Sequence, residues 1–149
     1  MDIKSKEERS RNMAAIRSKN TKPEIFFRKK LFARGYRYSL NTKLIYGHPD
    51  LFLRKYNTAV FVNGCFWHRH KDCKYAYTPK SRIEFWTKKF ASNVKRDQTV
   101  REALAQRKIK CLIVWECTIK KMHKNEALCN EILDQTEQFL HNSEKYLEL

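Results

Sequence analysis

Apolar and polar positions change their spacing several times along the chain, and each change marks an element. From Lys6 to Lys19 a charged helical stretch carries only a thin apolar stripe, Met13, Ala14 and Ile16, so residues 1–20 read as an arm rather than core. Thr21-Lys22-Pro23-Glu24 then forms a capping box with an early proline, the Thr hydroxyl accepting from the third backbone N–H while Glu24 reaches back. The helix it opens runs to about Arg34, where Gly35 can take the left-handed conformation that ends it. Tyr36 to Leu40 alternates as a strand does. Gly47-His48-Pro49 makes a turn, after which Asp50 to Arg54 and Thr58 to Val62 read as a hairpin joined near Tyr56-Asn57.

Every Gly and Pro lies at or before Pro79, so the second half can run in longer elements. Gly64 to Lys80 follows neither period and reads as a Cys/His/aromatic loop. Ser81-Arg82-Ile83-Glu84 is a second capping box, opening a helix to about Arg107 along which Trp86, Phe90 and Val94 fall at core spacing. Lys110 to Cys117 is a short β-rich run suited to a buried strand that includes Trp115. An acidic helix from about Asn125 to Leu140 dominates residues 125–149. Neither a repeat nor a low-complexity tract interrupts this order. The pattern predicts one α/β domain over 1–149, a mixed sheet with helices on both faces.

Charge narrows the function. The 149 residues carry 32 Lys and Arg against 16 Asp and Glu, a formal net charge of +16. Residues 1–50 contribute +8 and residues 51–110 contribute +11, whereas residues 111–149 contribute −3. A surplus this large, confined to the first three quarters, points to a polyanionic partner, because basic side chains on phosphates release condensed counterions. No apolar run reaches the ~18 residues that span a bilayer and the opening residues lack an apolar leader, so the expected location is the cytoplasm, with no membrane partner. Five cysteines in such a chain suggest metal ligation rather than disulfides.

Two constellations carry candidate chemistry. In Cys65-Phe66-Trp67-His68-Arg69-His70-Lys71-Asp72-Cys73, three zinc-type ligands, Cys65, His70 and Cys73, fall within nine residues. Cys117, where the chain leaves a strand, is a better fourth ligand than Cys111 or Cys129, and the bland alternative is a set of buried thiols. The second is Pro49-Asp50 at the start of a strand, where a carboxylate can hold Mg²⁺ for phosphodiester hydrolysis. The partner strand, Thr58 to Asn63, lacks the acid and lysine of a Pro-Asp…(Asp/Glu)-x-Lys nuclease. A metal site there has to use a backbone carbonyl, Asn63 or His68.

A family resemblance sharpens this. Arg11-Asn12-Met13, Glu24, Gly47-His48-Pro49-Asp50, Asn63-Gly64-Cys65-Phe66-Trp67-His68, Asp72-Cys73, Glu84-Phe85-Trp86, Asn93 with Arg96-Asp97, and Val114-Trp115-Glu116-Cys117 resemble, in order and spacing, the very short patch repair (Vsr) mismatch endonucleases. The likeness covers most of residues 9–118. It implies a restriction-endonuclease-like fold with a structural zinc loop. The implied activity is Mg²⁺-dependent nicking of one strand of double-stranded DNA at a T:G mismatch left by 5-methylcytosine deamination, giving a 5′-phosphate and a 3′-hydroxyl. By the same resemblance, Asp50 and the Val62 carbonyl would bind Mg²⁺, His68 would act as general base, and Glu24 would hold waters around the metal. Cys65, His70, Cys73 and Cys117 would bind Zn²⁺. Phe66 and Trp67 would wedge into the base stack, with Met13 entering from the other groove. Apart from the resemblance, Lys88, Lys89, Lys95 and Arg96 lie on the long helix and could track the backbone, and a solvated helix face explains them about as well. A monomer is expected, with other repair proteins as possible partners.

The chain departs from the pattern twice. Val62-Asn63 stands where the resemblance expects Thr-His, which keeps a backbone carbonyl but loses an imidazole, since Asn exchanges no proton near neutral pH. His48, two residues before Asp50, is the imidazole that could compensate. One extra residue also separates His70 from Cys73. Two rival readings stay open: a restriction-type nuclease cutting both strands, and a zinc-stabilised nucleic-acid-binding module without catalysis.

Overall fold

A computed structural model describes residues 19–149. Met13 and most of the arm lie outside the described residues. Among them the chain forms helix α1 (Lys22–Ala33), strands β1 (Ser39–Leu40), β2 (Leu51–Leu53) and β3 (Thr58–Asn63), and helix α2 (Ile83–Gln106). Strand β4 (Lys110–Trp115), helices α3 (Glu116–Lys124) and α4 (Glu126–His141) and strand β5 (Tyr146–Glu148) follow. The sheet runs in the order β1-β2-β3-β4-β5, antiparallel through β3 and parallel from β3 to β5. The expected mixed α/β sheet and its hairpin are therefore present.

Helix α1 begins nearly as its sequence predicts. Thr21 Oγ1 accepts from the Glu24 N–H at 3.4 Å, but the Glu24 carboxylate closes on the N–H of Asn20, at 3.0 Å, rather than on that of Thr21. The helix ends where Gly35, at φ +95°, lets its own N–H reach Phe32 O and the Tyr36 N–H reach Leu31 O, satisfying two carbonyls that would otherwise be orphaned. The alternating run before β1 shrinks to Ser39 and Leu40, since Tyr36 and Tyr38 pack against the core from outside the ladder.

The second half differs in detail. Helix α2 takes Arg82, left-handed at φ +55° and making no side-chain cap bond of its own, as its N-cap, one residue later than Ser81. The run to Cys117 leaves the sheet at Trp115, and Glu116 and Cys117 belong to the first turn of α3 instead of the strand. The acidic helix expected from about Asn125 to Leu140 is α4, and beyond it Tyr146–Glu148 adds a parallel edge strand to β4.

Helices cover both faces of the sheet. On one, Phe27 and Leu31 of α1 and Ile132, Leu133, Phe139 and Leu140 of α4 pack on Leu51, Leu53, Val60, Leu112 and Val114. On the other, Leu104 and Val100 of α2 pack on Phe52, Ala59, Cys111 and Ile113. These sets alternate along β3 and β4, as period-two side chains must. Lys110 is buried, and its ammonium donates to the carbonyls of Phe139 and Asn142, closing the end of α4. Gly47, at φ +87°, lies where a Cβ would meet Val100 Cγ1 at 2.5 Å, so the turn before Asp50 can press on α2 only with glycine there.

Candidate active site and metal centre

The site gathers where β2 begins and β3 ends. Asp50, just before β2, accepts the Val62 N–H through Oδ2 at 2.7 Å, so a ladder position holds its carboxylate in place. Burial pushes the Asp50 carboxyl up from 3.8 to about 7. The Val62 N–H and the nearby His68 imidazole oppose that rise, while the charge and hydrogen bonding of Glu24 reinforce it. Glu24, Asp50 and His68 thus share one neighbourhood although 44 residues separate Glu24 from His68. Asn63 is buried at the end of β3.

Glu24 is 1% exposed, and each of its oxygens already holds a partner: Oε1 takes the Asn20 N–H, and Oε2 takes Arg28 Nη1 at 2.6 Å. Arg28 also reaches Asn20 Oδ1 at 2.8 Å. A buried carboxylate next to another is costly to ionise, and Arg28 offsets one of the two charges. Asp50 therefore keeps its proton well above the ordinary carboxylate range. An all-oxygen donor set of this kind, Asp50 with backbone carbonyl and Glu24, fits a hard divalent cation that would replace that proton.

His68 Nδ1 sits 2.6 Å from Asp97 Oδ2 on α2. That bond commits Nδ1 and leaves Nε2 as the ring nitrogen able to exchange a proton. Asp97 was only part of a matched motif in the sequence reading. The signal that could have found it is the inward stripe of α2, Phe90, Asn93, Asp97, Val100 and Leu104, in which two polar residues interrupt apolar ones and so demand partners. The expected stripe of Trp86, Phe90 and Val94 is corrected accordingly: Val94 is 45% exposed, and Trp86 belongs to a surface aromatic cluster.

Four metal-type ligands converge. Cys65, His70, Cys73 and Cys117 place their ligand atoms within 4.8 Å of one another. His70 Nδ1 lies 3.6 Å from Cys65 Sγ and 3.4 Å from Cys117 Sγ. A tetrahedron built on Zn–S bonds of about 2.3 Å has edges of about 3.8 Å, so this spacing and the three-sulfur, one-nitrogen donor set fit zinc. Burial lowers the His70 pKa, which favours the neutral, ligating imidazole. Its ring stacks on Trp115 at 4.1 Å and 7°, which fixes its plane. Cys117 reaches the cluster from the first turn of α3, and Cys111 and Cys129 are buried elsewhere.

Phe66 and Trp67, both half-buried, meet edge to face at 5.0 Å. Trp86, Phe90 and Tyr77 surround Phe66 at 5.5, 5.1 and 5.1 Å, so the pair belongs to a larger aromatic cluster. Asn93 donates from Nδ2 to the Trp67 carbonyl at 3.0 Å. Lys88, Lys89 and Arg96 are exposed on α2. No described helix is long and apolar enough to cross a membrane.

The family model described as DNA mismatch endonuclease Vsr matches residues 1–75. A Type II nicking enzyme, V.NmeAIP, from Neisseria meningitidis is 42% identical over 90% of this chain and 92% of its own. Another, V.XorIIP, from Xanthomonas oryzae is 39% identical over 89% and 97%. The DNA mismatch endonuclease Vsr of Escherichia coli is 34% identical over 88% and 85%.

Proposed function

Because this chain belongs to the Vsr family of DNA mismatch endonucleases, we propose that it nicks one strand of duplex DNA at a T:G mismatch left by 5-methylcytosine deamination, and so begins excision of the thymine. Two of its relatives are nicking enzymes and a third is a DNA mismatch endonuclease. The observation that carries the reading is the convergence of Asp50, Glu24 and the Asp97-oriented His68 beside an aromatic pair that could enter a base stack.

Asp50 and the Val62 carbonyl would hold Mg²⁺, with Glu24 ordering water nearby. When bound, that ion neutralises phosphate charge and acidifies water. His68 takes a proton from the attacking water through Nε2, while Asp97 keeps the imidazole in the right tautomer and orientation. The water oxygen joins phosphorus, the bond to the 3′ oxygen breaks, and that oxygen leaves as a hydroxyl once protonated. Phe66 and Trp67 insert beside the mismatch, where a wobble pair makes unstacking cheaper than in matched duplex. The basic face with Lys88, Lys89 and Arg96 supplies affinity without sequence information.

The test is a nicking assay on T:G and matched duplexes with and without Mg²⁺, using the full chain and Asp50→Ala. The expected result is metal-dependent cleavage of one strand of the T:G duplex, lost in Asp50→Ala while DNA binding persists. Cleavage of both strands of matched duplex would favour a restriction-type enzyme. Salt-sensitive binding with no metal-dependent cleavage would make the chain a binding module.

A further inference from the structure

Two side chains pin the backbone of the aromatic pair, one at each carbonyl. Arg69 donates through Nη1 to the carbonyls of Phe66 and Tyr77, at 3.1 and 3.0 Å, and through Nη2 to the Ala76 carbonyl at 2.7 Å and the Thr78 hydroxyl at 3.3 Å. Its guanidinium also lies 3.8 Å from the centre of the Phe90 ring on α2. Asn93, 6% exposed on the same helix, holds the next carbonyl, that of Trp67. Successive carbonyls at 66 and 67 are therefore fixed before any DNA is present.

Arg69 adopts this role at φ +53°, a left-handed conformation that is uncommon and costly for a residue with a side chain. The surroundings must repay that strain, and the four bonds and the ring contact do so. All four Nη hydrogens face the protein's own acceptors. Only Nε–H is left for a phosphate, so a basic residue in a DNA-facing loop is here spent on shape.

We propose that Arg69, assisted by Asn93, is a positioning residue that sets the Phe66–Trp67 step in its inserting pose in the free protein and thereby determines discrimination between a distorted and an intact base pair. This rests on the mismatch-nicking reading. The physical reason is preorganisation: a mobile wedge loses conformational freedom on every duplex it enters, whereas a preset one arrives with that cost already met.

The experiment uses the zinc-loaded protein labelled with 5-fluorotryptophan at its three tryptophans, in wild type, Arg69→Lys and Arg69→Met. Lys keeps the charge and loses the four-way geometry; Met keeps the stem over Phe90 and loses both. Both variants should broaden or split the fluorine resonance of Trp67, identified by Trp67→Phe. Trp115, on the zinc ligand His70, should be unmoved and the zinc content retained. The kcat/KM ratio for T:G over matched duplex should fall about tenfold in both, with the salt slope of binding unchanged in Arg69→Lys. A sharp, unshifted Trp67 resonance overturns the proposal. So does T:G preference kept by Arg69→Lys but lost by Arg69→Met together with about one unit of salt slope, which would make Arg69 a phosphate contact. If wild type shows no T:G preference while the Trp67 resonance still responds to both variants, the mismatch reading fails and the pinning of the aromatic pair stands.

Discussion

His68 Nδ1 and Asp97 Oδ2 lie 2.6 Å apart, joining the loop after β3 to the middle of α2 across 29 residues of sequence. A carboxylate in that position selects the tautomer with its lone pair on Nε2 and stabilises the imidazolium formed when the ring takes a proton. Asp97→Asn preserves size but can present an amide N–H to the ring and favour the wrong tautomer. Single-turnover nicking should slow about 100-fold with KM changed less than about threefold. An unchanged rate would remove Asp97 from the machinery.

Asp50 predicts a pH dependence of stability. Its folded value of about 7 stands above the ordinary 3.8, so between these the native state holds a proton the unfolded chain has released. Its contribution to stability is greatest below about pH 4 and is lost as pH rises through 7. Asp50→Asn keeps an oxygen for the Val62 N–H and removes the buried charge. In metal-free buffer at pH 8 it should be more stable than wild type by roughly 4 kcal/mol, with no advantage at pH 4. Mg²⁺ should raise the wild-type midpoint and leave the variant's alone. Parallel melting curves across this range would contradict the assigned burial of charge.

Among the cysteines, the structure separates ligands from bystanders. Cys65→Ser should lower bound zinc and thermal stability together, whereas Cys111→Ser and Cys129→Ser should keep the full metal content. Metal analysis of the three purified variants decides it, and a full zinc complement in Cys65→Ser would dismiss the four-ligand site.

Asn63 offers a gain-of-function test. It is buried at the end of β3, beside Val62, whose N–H holds Asp50. Asn63→His restores an imidazole where proton exchange near neutrality is otherwise absent, and nicking should accelerate up to about tenfold. A rate at or below wild type, in a variant with an unchanged melting point, would show that His68 alone suffices.

The elements that were legible in the sequence are those whose signals are local. Thr21 and Gly35 bracket α1 because a hydroxyl cap and a left-handed glycine act within a turn of themselves. The four zinc-type ligands were legible because donor chemistry marks three of them within nine residues. What failed depended on tertiary context. Glu116-Cys117 reads as more strand by composition, yet it turns into α3 with Cys117 among the ligands, its N–H 3.4 Å from Cys65 Sγ. Tyr146–Glu148 is too short to announce a strand and gains that form only by pairing with β4. The Asp97 partnership, too, needs α2 laid across the loop before its meaning shows.

Parallel pairing of β3 with β4 puts Asn63 opposite Trp115, so both strands release their chains at the same edge, and each delivers a ligand two residues later. The metal cluster therefore staples the carboxyl ends of the two central strands as well as the loop. Backbone amides at the ends of β3 and β4 and throughout residues 64–78 should exchange with deuterium as one cooperative unit, opening no faster than zinc dissociates. A chelator would then loosen the catalytic edge of the sheet while the opposite edge keeps its protection, turning metal loss into selective melting of the reactive half.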